Sequence, residues 1–399
     1  MRFRSPTVLP LLVFVGSGAT FALANLLLAR SLPEREYAVF TLALALMHLG
    51  SPLAGVGLDG VAVRGGLATS PAVLGRVLLA ASVVALGLGA AGAAYGIGFG
   101  AIGTTMVSTA AGGAMVVAAA ELQRRQWFGT SLALMQIPNL ALLLAAVTVM
   151  MTGGKSALPP LVLTAAGFAA GAVAAWAMVL RRPAPGPDRS IPWREAFSLG
   201  ATNASGLLLG QLDRLIIPYL LPLSALATYG ALSAVVGSLF RVLQRGVGYA
   251  LLPRLRAAET IAERRRLIAQ EARMVSAIVV LGSAAIWLVM PVVEQWVLAG
   301  RYRFSDSLVL AALVAGWAKL LTAFSRATVT ALADERQLTL VNLSGWASVA
   351  LSVVGAAAGA RWGLTGVIYG VSLGWLVRSG AALAITFRHL HPVTRAHVG

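Results

Sequence analysis

Long apolar stretches separated by short polar marks run the length of the chain. Stretches of about 20 mainly apolar residues, the length a helix needs to cross a bilayer, fall at 7–29, 37–58, 77–98, 101–120, 130–151, 158–180, 197–220, 224–252, 274–298, 306–331, 338–360 and 362–387. Pro, Gly or charge marks most breaks, as at Arg30 to Glu36, Met151 to Pro159 and Arg301 to Asp306. The pattern predicts an all-α polytopic membrane protein of about twelve transmembrane helices. The first stretch is longer than a signal-peptide core and runs into Arg30, so it reads as a span.

Composition agrees. Hydrophobic residues make up 58% of the chain, charged residues 11%, and mean hydropathy is +0.82. That much apolar surface excludes a soluble enzyme. With no cysteine, disulfides, thiolate metal sites and cysteine nucleophiles are excluded too. The net charge of +17 would suggest nucleic acid in a soluble protein. Here the excess of basic residues in cytoplasmic loops accounts for it, and no nucleic-acid partner is expected. With the N-terminus inside, 19 of the 31 basic residues fall in inner segments, 6 in outer segments and 6 within spans. The split predicts both termini in the cytoplasm.

The segment Arg181 to Glu195, with Pro183, Pro185, Pro187 and Pro192, divides the chain almost in half. It reads as a cytoplasmic linker (183–196) between an N-terminal six-helix lobe (1–182) and a C-terminal one (197–399). At an offset of 189 residues Leu32-Pro33 aligns with Leu221-Pro222, Ala38 with Ala227 and Phe40 with Tyr229. Six spans per half give both halves the same orientation, a parallel pseudo-repeat with the pathway between the lobes. The charged run Pro253 to Arg273 reads as a connector along the membrane surface, with a lipid-headgroup site as the alternative.

The informative polar residues lie within spans. Arg214, Arg241, Arg245, Lys319, Arg326 and Arg378 are basic, and each costs about 2.5–3.5 kcal/mol at a helix centre on insertion scales. They must face a wet cavity or snorkel to an interface. Lys319 is near mid-depth and cannot easily snorkel. Arg326 lies two turns on along the same face. Arg241 and Arg245, four apart, share a face of another helix, and Arg378 lies in the inner part of the last span. The acids in the second lobe's spans, Asp213, Glu294 and Asp306, all lie toward the outer side. A basic inner vestibule follows, suited to an anionic group; arginine forks match diphosphate oxygens. Asp213 and Arg214 are adjacent and so point about 100° apart on a 3.6-residue helix; they are candidates for cavity lining or ion coupling. Asn25 and His48, with Asn203, Gln211 and Asn342, line a lumen or join helices by hydrogen bonds. His48, near mid-depth, is also a candidate proton relay. No metal-ligand spacing or phosphate-cradling glycine loop stands out, and neither metal nor cofactor is expected.

Two runs carry a family resemblance. Asn25 to Arg64 (NLLLARSLPEREYAVFTLALALMHLGSPLAGVGLDGVAVR) resembles the opening of polysaccharide exporters: a span ending in Leu/Ala/Arg, a Leu-Pro-x-x-x-Tyr turn, then a span ending in Gly-Leu and a basic loop. Leu209 to Arg256 is similar to that family's seventh and eighth spans, with Asp213, Tyr229 and Pro253 at the matching positions. Ala38 stands where glycine is common. The Gly55 to Arg64 loop does not fit the major-facilitator motif, because Gly60 follows Asp59 where a basic residue is required.

The family is that of O-antigen and lipid-linked oligosaccharide flippases, within the multidrug/oligosaccharidyl-lipid/polysaccharide exporter superfamily. The resemblance implies two six-helix lobes in a V that opens alternately to either side of the plasma (inner) membrane. It implies translocation of an undecaprenyl-diphosphate-linked oligosaccharide to the outer leaflet. The partners implied are a lipid-linked anionic saccharide, membrane lipids and other polysaccharide-assembly membrane proteins. A cation-coupled multidrug antiporter of the same superfamily is the alternative, disfavoured by the few acids in the spans. A membrane glycan polymerase or ligase would need a larger outer loop or catalytic acids there, and only Glu34 and Glu36 pair. A non-transporting scaffold or scramblase is a third class.

Overall fold

The computed structural model describes residues 8–64, 67, 69–182 and 191–390. Residues 183–190 of the expected linker and both chain ends lie outside the described residues. Thirteen α-helices are described: α1 (Val8–Ser31), α2 (Glu34–Leu53), α3 (Leu58–Val63), α4 (Pro71–Ala94), α5 (Phe99–Arg124), α6 (Phe128–Thr152), α7 (Leu158–Leu180), α8 (Trp193–Leu220), α9 (Leu223–Ala257), α10 (Ile261–Val292), α11 (Asp306–Leu332), α12 (Glu335–Gly359) and α13 (Gly363–Leu390). All but α3 have 20 residues or more, one for each apolar stretch in the sequence. Among the described residues no strand occurs. Among the described residues nine stretches are long and apolar enough to cross a membrane, the last holding both α12 and α13; α1 is not among them. Nor is α8; Gln211, Asp213 and Arg214 interrupt its apolar run.

Local chemistry sets the ends. Ser70 caps α4, accepting from the Val73 N–H, with Pro71 opening the helix. Gly153 ends α6 in the left-handed region at φ 64°, where a Cβ is disfavoured. Asp334 and Gln337 form a reciprocal capping box at α12. The run Pro253 to Arg273 is not one connector. α9 continues to Ala257, and Thr260 starts α10 by accepting from the Glu263 N–H at 3.1 Å. The charged residues thus extend two long helices.

The contacts divide the chain into two compact units. One holds the described residues up to Ala234 together with Gln295–Tyr302; the other holds Val235–Glu294 and the residues from Arg303 onward. In the first, α5 is central and packs against α2, α4, α6 and α7. Small residues permit this: a methyl group at Gly113 would meet Ala54 atoms at 2.6–2.8 Å. The segment 295–302 belongs here because Arg301 Nη1 donates to the carbonyls of Arg30 (2.6 Å) and Leu32 (2.9 Å) at the end of α1. The ring of Tyr302 packs 6.2 Å from that of Tyr37; burial and the charge of Glu34 push the Tyr302 phenol up to about 12.

In the second unit α13 lies between α11 and α12. α12 and α13 meet through Gly355, Gly359, Gly366 and Gly370 at near-backbone contact. α11 and α13 run parallel and in register: Thr322 bonds Ser379 (2.7 Å), and two turns on Thr328 bonds Thr386 (3.2 Å).

A cavity of about 180 Å³ opens in the first unit beside α3, lined by Asp59, Gly60, Val63, Gln123 and Met135 among others. Burial raises the Asp59 carboxyl above its ordinary value. A carboxyl raised by folding favours the protonated form, so its contribution is fully present below the unfolded value and is lost as pH rises through the folded one. Asp59→Asn is therefore expected to raise the melting temperature at pH 7 and to leave it unchanged near pH 3.5. A lower melting temperature at pH 7 would show that the charge stabilises α3.

Candidate functional site

The site is built in the second unit from the register of α11 on α13. Because residue 322 is level with 379, Arg378 stands beside residue 321, between the levels of Lys319 and Arg326. Those two residues span about 10 Å along α11 at 1.5 Å per residue. The Lys319 Nζ lies 5.9 Å from the centre of the Trp375 ring, within cation–π range. Arg378 is buried, with 5% of its surface exposed, and its Nη1 has no hydrogen-bond partner among the described residues. Arg326 is exposed, and its like charge acts on Arg378. Lys319 thus lies over the Trp375 indole, and Arg378, one turn on along α13, feels the charge of Arg326.

Three carboxylates of this unit are engaged elsewhere. Glu271 pairs with Arg254 at 3.4 Å, Glu294 accepts from the Phe304 N–H at 2.9 Å, and Asp334 caps α12. Between α11 and α13 the polar side chains are hydroxyls. Thr322 Oγ1 donates to the Trp375 carbonyl at 3.0 Å and lies against Ser379 Oγ. These hydroxyls tie the two helices together.

Arg241 lies on α9, half-buried, next to Phe240. The Phe240 ring lies where a methyl group on Gly316 of α11 would go, so this face of α9 packs on α11. The Arg245 side chain lies outside the described residues. Of the expected cations, the structure sets Lys319 against Trp375 and Arg326 close enough to act on Arg378. Trp375 is the residue the sequence reading passed over. Its signal was the spacing Ser372, Trp375, Arg378, Ser379, a polar-edged stripe on one face of an apolar span.

The remaining candidates sit in the first unit. Asp213 is buried; its carboxylate accepts the Tyr229 hydroxyl and the Arg214 N–H (2.9 Å). The Arg214 guanidinium donates to Gln211 Oε1 at 3.2 Å and Ser233 Oγ at 3.0 Å. Both side chains reach one face of α9, through Tyr229 and Ser233 four residues apart, and clasp α8 to the first turns of α9. Asn25 Nδ2 donates to the Phe21 carbonyl of its own helix at 2.8 Å. The His48 ring lies 5.5 Å from that of Phe21.

No protein-family model matches the chain, and no curated protein is found as a relative. Solved structures do match. The lipid II flippase MurJ, in an inward closed conformation, aligns with a TM-score of 0.68 at 10% identity, over 94% of this chain and 86% of that one. An inward-facing multidrug resistance MATE family transporter of the MOP superfamily aligns at 0.62 and 14% identity, over 95% and 98%. A mutant of the Vibrio cholerae MATE transporter VcmN aligns at 0.56 and 14%, over 96% and 95%.

The chain has the fold of these membrane transporters. At such identities the likeness is one of fold, and function has to be argued from the site. The twelve long helices are therefore the ground plan of a MATE- and MurJ-like transporter fold, as the apolar pattern predicts.

Proposed function

We propose that this chain is a flippase that moves an undecaprenyl-diphosphate-linked oligosaccharide from the cytoplasmic to the outer leaflet of the plasma (inner) membrane by alternating access. The observation that carries the reading is the buried Arg378, whose Nη1 has no hydrogen-bond partner among the described residues, with Lys319 over the nearby Trp375 ring and the charge of Arg326 acting on it. A charge within a span is costly unless an anion or water meets it. A diphosphate supplies two anionic groups, and guanidinium forks bind them with two oxygens at once. The fold shared with a lipid II flippase supports the substrate class. The resemblance of Asn25 to Arg64 and Leu209 to Arg256 to polysaccharide exporters supports the saccharide.

In this reading Arg241, Arg245 and Arg326 capture the diphosphate from the cytoplasm. Lys319 and Arg378 hold it as lobes 1–182 and 197–399 rock about the linker 183–196. Both termini lie in the cytoplasm, other polysaccharide-assembly membrane proteins accept the product, and no enzymatic step is involved. Asn25 and His48 serve packing in the lobe 1–182 and Asp213 and Arg214 serve packing in the lobe 197–399, and ion coupling through Asp213 belongs to the antiporter alternative. That alternative keeps its place because MATE structures share the fold as well.

The test is protein-dependent appearance of a labelled undecaprenyl-diphosphate saccharide in the outer leaflet of proteoliposomes. Lys319→Ala should lower the rate at least tenfold at wild-type expression. Lys319→Arg should retain part of it, since charge survives while geometry changes. Wild-type rates in Lys319→Ala would remove the residue's role. Cation-coupled drug efflux without any saccharide translocation would establish the antiporter instead. Reporter fusions after Arg182 and Arg273 should read cytoplasm, and fusions near Lys155 and Arg303 the outer side; an outer reading after Arg182 overturns the lobe assignment.

A further inference from the structure

Two buried donors on one face of α13 lack an acceptor. The Arg378 Nη1 and the Trp375 Nε1 are both sealed from solvent, and neither has a hydrogen-bond partner among the described residues. The two residues are three apart, so their side chains leave the same side of the helix. Buried N–H groups in folded proteins are nearly always satisfied, and a charged one left bare is the costliest case. The neighbouring hydroxyls are turned toward backbone carbonyls: Thr322 and Ser379 toward that of Trp375 (3.0 and 2.8 Å), Ser372 toward that of Ile368 (2.7 Å). The surroundings add positive charge, from Lys319 over the indole ring and Arg326 against Arg378. A water molecule must donate as well as accept. Bare donors under positive potential select an anion.

We propose that the Trp375 indole N–H and the Arg378 guanidinium cradle a small anion between α11 and α13, a halide or a phosphoryl oxygen. The inference deepens the flippase reading and rests on it only where the anion is the lipid's own diphosphate. A free inorganic anion would meet the same two donors. Trp375 is then a specificity residue: its N–H chooses an anion where its ring alone would only shelter Lys319.

The experiment uses the full chain, purified in an uncharged detergent free of lipid-linked saccharide. Chloride and inorganic phosphate are titrated against gluconate at constant ionic strength, with melting temperature as the readout. The wild type should be stabilised saturably by at least one of the two. Trp375→Phe keeps the ring over Lys319 and deletes the N–H; its apparent affinity should fall about tenfold, the usual worth of a hydrogen bond to a charged group. Arg378→Gln should abolish the effect. A second arm adds undecaprenyl diphosphate: displacement of the stabilising anion assigns the cradle to the lipid headgroup, and independence from it assigns a resident inorganic anion. Absence of any saturable anion effect on the folded wild type overturns the proposal, as does unchanged affinity in both variants. Anion binding without saccharide flipping overturns the flippase reading alone. Flipping without anion binding overturns the cradle alone.

Discussion

Gly370→Leu is expected to abolish recovery of monodisperse, folded protein, whereas Gly380→Leu on the same helix is expected to be recovered like the wild type. A methyl group at Gly370 would fall on the Gly355 carbonyl of α12, while nothing lies within 4 Å of one at Gly380. In lipid no hydrophobic drive brings helices together, so close contact of small residues carries the association. The contact repeats along the pair. Gly359 meets Gly366, and Gly374 meets Ser352, whose hydroxyl donates to the Val371 carbonyl at 2.9 Å. Overpacking usually costs about 1–3 kcal/mol where side chains can yield. Here backbone opposes backbone, and the whole seam must open to admit a leucine. The measure is elution profile and melting temperature in detergent. Equal recovery of the two variants would show that the seam does not hold α12 to α13.

The helices were legible because bilayer length is a coarse signal that twelve apolar stretches repeat. What escaped was local or long-range. The run Pro253 to Arg273 looks like one polar connector because charge dominates it; the Thr260 cap, a single hydroxyl, is what divides it between α9 and α10. The place of 295–302 in the first unit depends on Arg301 reaching carbonyls about 270 residues away in the chain. No periodicity encodes such a contact.

The site was legible in its charge and not in its partners. Cations set deeper than the acids of their spans can be read directly, and the level of Arg378 between those of Lys319 and Arg326 follows from the register of two parallel helices. Trp375 was not legible as a donor, since an indole within an apolar span reads as packing until its N–H is found bare. Arg214 reads as a further cavity cation, yet its fork is occupied by Gln211 and Ser233. A basic residue in a span therefore acquires meaning from what its donors meet.

Glu121→Ala is expected to destabilise the first unit by about 3 kcal/mol, the low end for breaking a buried ion pair. The sequence Glu121-Leu-Gln-Arg-Arg125 looks like a solvated break between spans. The structure instead buries the Glu121 side chain, 1% exposed, in the last turns of α5, with Arg124 at 2.6 Å and Arg125 at 2.7 Å. Arg125 goes on to donate to the Arg182 carbonyl at 2.6 Å and Thr69 Oγ1 at 3.2 Å, joining α5 to the end of α7 and to the approach to α4. Removing the carboxylate leaves Arg125, 13% exposed, as an uncompensated charge. Arg124, 33% exposed, regains water and limits the loss. Adding Arg125→Met to Glu121→Ala should then recover part of the stability, because the second change deletes the stranded charge. The measure is the melting temperature of the single and double variants in one detergent. A single variant that melts with the wild type, or a double variant less stable than the single, would show that the carboxylate holds no charge in place.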